Sequence, residues 1–138
     1  MAKYMLIMRA TDETSAAMQS VPIEEMLDTI GRYNEELIRA GVLLAGEGLD
    51  PSVSVVVDHS SEPPLVTDGP YGETKELFGG FYILDVPTVE DAVEWATRMP
   101  AFPGAKTEVR RVTEIDDFPQ DNEWIVKERA WREQNGQL

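Results

Sequence analysis

The chain has 138 residues, 26 acidic and 12 basic, giving a formal charge of −14, with no cysteine and one histidine. Disulfides, thiolate zinc sites and cysteine nucleophiles are therefore excluded, and one imidazole cannot build a two-histidine metal triad within a chain. The acidity runs through both halves and opposes attraction to nucleic acid or anionic lipid, so neither direct nucleic-acid binding nor a membrane partner is expected.

The length suits one domain, and 42% hydrophobic residues can supply its core. The start, Met1-Ala2-Lys3-Tyr4, has no long apolar stretch of the signal-peptide kind, and no run approaches the ~20 apolar residues of a membrane span. A cytoplasmic protein is the expectation, in keeping with the missing cysteine.

Tyr4 to Met8 is apolar on both alternating faces and predicts a buried strand ended by Arg9. Residues 10–21 read as a polar loop. Pro22 opens a helix whose stripe is Ile23, Met26, Leu27, Ile30, Leu37 and Ile38, stopped by Gly41. Val42 to Ala45 predicts a second strand running into Gly46-Glu47-Gly48. Asp50-Pro51 marks a turn, Ser52 to Val57 a β-branched strand, and Leu65 to Thr67 a short extended piece.

Gly79 to Val86 predicts the next strand. Thr88 and Asp91 form a capping-box pair before a stripe of Val89, Ala92, Val93, Ala96 and Met99, which Pro100 ends. Thr107 to Val112 alternates as a last strand. An acidic linker follows over 114–121, and Asn122 caps a C-terminal helix carrying Trp124, Ile125 and Trp131.

Strand–helix–strand thus occurs twice. The expected class is α+β: a ferredoxin-like split βαβ domain over residues 1–116, with an extra central strand or hairpin and an antiparallel sheet. Residues 117–138 form a helical extension packing on the same domain or on a dimer partner. Two helices cover one sheet face. The two-sided first strand asks for cover on the other, and a second copy supplies it economically, so a homodimer is expected.

Residues 66–83, from Val66-Thr67-Asp68-Gly69-Pro70-Tyr71-Gly72-Glu73-Thr74-Lys75-Glu76 through Gly79-Gly80 to Ile83, resemble the signature of the YCII-related proteins. More narrowly they resemble the DGPF subgroup, with Tyr71 where its motif has phenylalanine. The likeness extends over residues 3–115. It implies a ferredoxin-like fold paired into a dimeric α/β barrel. For some relatives it implies a His-Asp enzyme, and for DGPF-type proteins a loose link to sigma-factor-associated transcription.

Read from the residues alone, Asp68-Gly69-Pro70 is turn chemistry that sets strand register. The alternative reading is a pocket lip, with Asp68, Glu73, Lys75 and Glu76 offering carboxylates and an ammonium. Asp68, at a strand end, is the first candidate acid–base group and Glu47, between two glycines, the second. Tyr71, Glu73, Lys75, Arg110 and Arg9 are candidate substrate contacts, the arginines as anion anchors. His59 lies in a polar loop and does not clearly fill the place of a catalytic histidine. No cofactor or metal motif is present. Two functions follow: a cofactor-independent enzyme or small-molecule-binding protein with a carboxylate-rich pocket, or a non-catalytic regulatory protein acting through protein contacts.

Overall fold

The computed structural model describes residues 2–69 and 77–138. It is a mixed α+β structure with antiparallel sheets. The first strand, β1, spans Ala2–Ala10. Its neighbours are β5 (Leu77–Val86) and β6 (Lys106–Arg111), and β2 (Leu43–Gly48) forms the far edge, giving the order β2-β5-β1-β6. Every pairing in this sheet is antiparallel. A separate two-stranded sheet joins β3 (Val55–Asp58) to β4 (Leu65–Asp68). The run 52–57 thus builds a hairpin beside the main sheet and starts three residues later than its β-branched pattern suggests.

Helix α2 (Ile23–Arg39) ends at Ala40, and Gly41 then takes the left-handed conformation at φ 71°. Helix α3 (Val89–Arg98) begins with the expected reciprocal cap between Thr88 and Asp91. Both helices lie on one face of the sheet. Tyr4 and Leu6 of β1, Tyr82, Leu84 and Val86 of β5, Tyr33 and Leu37 of α2, and Ala92 of α3 make the core. The Tyr33 hydroxyl donates to the Trp95 carbonyl at 2.7 Å and binds α2 to α3. Arg98 reinforces that joint, stacking 4.3 Å over the Trp95 ring and pairing with Glu36.

Three local features depart from the sequence reading. Residues 12–19 are helical, not a loop: α1 (Asp12–Gln19) is capped by Thr11, whose hydroxyl accepts from the Thr14 amide at 3.3 Å. The helix lacks an apolar stripe, so its threonine cap and acidic first turn are its main sequence signals. Within the linker, Ile115–Asp117 forms a 3-10 turn that buries Ile115. The α2 stripe is also turned: Tyr33 and Leu37 are buried while Ile23, Leu27 and Ile38 stay exposed, because the core lies to one side of the apolar arc.

The other sheet face has no helix over it among the described residues. Cross-strand partners share a face, so the registers Met5↔Ile83 and Ile7↔Phe81 put four half-buried apolar side chains at its centre. Helix α4 (Glu123–Gln134), capped by Asn122, touches the 3-10 turn and buries none of its own residues. Trp124 and Trp131 remain 68% and 52% exposed. Among the described residues no helix is long and apolar enough to cross a membrane.

Candidate functional site

Between the sheet and α2 lies a cavity of about 480 Å³. Its floor is strand: Gly46 of β2 lies against the Tyr82 ring, and a Cβ there would stand 2.8 Å from Cδ1 of that ring. Beside it, Gly80 permits a second close approach, since a Cβ would meet Met8 Cε at 2.6 Å and the Glu47 carbonyl oxygen at 2.8 Å. Met26, Thr29 and Ile30 of α2 form one wall. Met18 of α1 and the segment Met99–Phe102 form the other. That second wall is held together by Thr14, 3% exposed, whose hydroxyl donates to the Pro103 carbonyl at 3.0 Å.

Few polar groups enter this largely apolar space. The Tyr82 hydroxyl donates to Asn34 Oδ1 at 2.6 Å, so the Asn34 amide N–H groups and a lone pair of the phenol oxygen stay available to a ligand. Burial pushes the Tyr82 phenol above its ordinary pKa. The same is true of Tyr33, where the neighbouring Tyr82 adds to the effect. Both tyrosines therefore remain neutral donors at physiological pH. Thr29 and Glu25 stand at the rim. Tyr82, like Tyr4 and Phe81, reads in the sequence as a strand aromatic that lines a pocket or fills the core; Asn34 and Tyr33 carry no site signal there beyond the position of Asn34 within an otherwise apolar helical stripe.

A second, more open cavity of about 640 Å³ lies across Met18, between α1 and the approach to the hairpin, and is lined by Leu49, Val53 and Phe78 among others. Its carboxylate, Asp50, is engaged by the amide and hydroxyl of Ser52 at 2.9 and 2.7 Å, which hold its pKa below the ordinary value.

The carboxylates and arginines expected to converge are distributed differently. Asp68 ends β4, opposite Val55, and is exposed; it lines neither cavity. Glu47 borders the first cavity, but alternation along β2 turns its side chain to the face opposite Gly46, beside Phe81. Arg9 and Arg110 share that open face, both near Glu108, at 3.5 and 3.7 Å. Glu47 and Arg110 sit on the two edge strands, three strand spacings apart, or about 14 Å. One small polar group cannot bridge them within a chain. Tyr71, Glu73 and Lys75 lie outside the described residues, as does Glu76. His59 is exposed in the turn after β3. Among the described residues no cluster of three or more histidines, aspartates and glutamates is placed to hold a metal ion.

An uncharacterized protein of Rhizobium meliloti is 26% identical over 94 residues, covering 67% of this chain and 76% of that relative. The YCII-related domain matches residues 2–116, which take in the whole four-stranded sheet, its helices and the hairpin. The chain therefore belongs to the YCII-related domain family.

Proposed function

We propose that the chain is a small-molecule-binding protein whose ligand occupies the cavity between the sheet and α2, and that it works as a homodimer of ferredoxin-like subunits. The observation that carries the binding reading is the cavity itself: apolar walls, enough volume for a small organic molecule, and a buried Tyr82 hydrogen-bonded to the half-buried Asn34 within it. If the bound molecule reacts, Glu25 at the rim is a carboxylate in position to exchange a proton with it without a cofactor.

The strand order β2-β5-β1-β6, with α2 and α3 on one face, supports the ferredoxin-like assignment. The uncovered apolar centre of Met5, Ile7, Phe81 and Ile83 supports pairing of two sheets face to face, in the manner of a dimeric α/β barrel. The sequence Asp68-Gly69-Pro70-Tyr71 supports membership of the DGPF subgroup.

A thermal-shift screen against a chemically diverse library tests the binding reading. Hits should lose their effect in Ala101→Trp, which places an indole in the cavity mouth from an exposed position. Hits that survive this change would move the site elsewhere. Size-exclusion chromatography with light scattering tests the dimer; a monomer at micromolar concentration counts against it.

A further inference from the structure

The walls of the α2 cavity say which ligand charge it accepts. Among the described residues lining it there is no lysine, arginine or histidine; the charged residues are Glu25 and Glu47, and only Glu25 stands with its side chain at the rim. Arg32 and Arg98 occur in a neighbouring shallow groove beyond Thr29, Tyr33 and Pro100. Both are taken up by carboxylates, Arg32 by Asp28 at 2.8 Å and Arg98 by Glu36. The whole chain adds a field of charge −14.

The apolar part is equally specific in kind. Four of the six methionines, Met8, Met18, Met26 and Met99, face this one space with Ile30 and Phe102. Thioether side chains are unbranched and polarizable, and they adapt to flat rings of differing outline. Where α2 meets the strand floor, Asn34 offers N–H groups and the Tyr82 oxygen offers a lone pair, enough to orient one neutral polar substituent. A carboxylate or phosphate brought here would lose its hydration without meeting a cation.

We infer that the cavity takes flat, apolar ring compounds that are uncharged or cationic, oriented by one hydrogen-bonding substituent at Asn34 and Tyr82, and that it rejects anions. This rests on the binding reading above and names its ligand class. It differs from the anion-anchoring role that the arginine pattern suggests in the sequence, since Arg9 and Arg110 lie on the opposite sheet face.

A matched set of probes tests it: 2-naphthylmethanol, 2-naphthylmethylamine and 2-naphthoic acid, measured by titration calorimetry on the full chain. The alcohol and amine should bind, and the acid should bind at least about tenfold more weakly than the alcohol. Ala101→Trp should abolish binding of all three. Glu25→Lys, a change at an exposed helix position, should raise the acid's affinity several-fold and lower the amine's. Acid binding as tight as the alcohol, with Ala101→Trp still blocking both, overturns the ligand class and leaves the cavity as the site. No binding by any probe, or binding untouched by Ala101→Trp, overturns the site and the ligand class together.

Discussion

Gly46 and Tyr82 are packed ring against backbone: the tyrosine occupies the space that any side chain at position 46 would need, with Cδ1 and Cε1 at 2.8 and 2.9 Å from the place of a Cβ. The register pairs the two residues across β2 and β5, so neither can move without disturbing the edge of the sheet. Gly46→Ala should therefore displace the ring, cost about 1–3 kcal/mol in denaturant unfolding, and weaken binding in the cavity. An alanine variant with unchanged stability would show that the ring has room to retreat.

Displacing the ring would also break its hydroxyl contact with Asn34, which Tyr82→Phe isolates. That change removes the donor to Asn34 Oδ1 and should cost about 1–2 kcal/mol while leaving the packing intact. The two buried phenols also give the fold an alkaline limit. Their pKa values are raised in the folded protein, so the folded state holds protons that the unfolded chain releases near the ordinary tyrosine value of 10.0. The stability they provide is complete below that value and is lost as pH rises above it toward the folded values. Unfolding midpoints should fall above about pH 10, and less steeply in Tyr33→Phe. Equal slopes in the two proteins would contradict this.

Much of the sheet could be read from the sequence because its signals are local. The two-sided apolar run at Tyr4–Met8, the glycine stop at Gly41 and the Thr88–Asp91 cap each specify an element without reference to the rest of the chain. Helix α1 was less legible: its stabilisation is a threonine cap and one tertiary bond from Thr14, and composition records neither. The cavity was harder still. Its polar pair joins residues 48 positions apart, and its methionines come from β1, α1, α2 and the end of α3. Strand order likewise lies outside any local pattern, and it is what sets Glu47 and Arg110 on opposite edges of the sheet within the chain.

Thr14 is buried, and it joins α1 to the segment that closes the cavity. Its hydroxyl also lies 3.1 Å from that of Thr11. Thr14→Val keeps the shape and removes the bond, leaving the Pro103 carbonyl unpaired. The expected loss is about 1–3 kcal/mol, with faster hydrogen exchange across α1 than across the central strands. Exchange that rises uniformly would mean that α1 unfolds only with the whole domain.

The dimer proposal makes a separable claim about α4 and the open sheet face. Within the chain no residue of α4 is buried, and both its tryptophans are more than half exposed, so its removal should cost the subunit little. A chain ending at Asp121 is expected to keep its secondary structure and its ligand cavity but to dissociate at higher protein concentration than the full chain, as read by light scattering across a dilution series. Ile83→Glu, at the centre of the open face and outside the lining of either cavity, should raise the dissociation constant by about 100-fold, because pairing would then bury a carboxylate without a partner. If the truncated chain unfolds, α4 is intramolecular cover. If Ile83→Glu leaves association unchanged, the two sheets do not meet through this face.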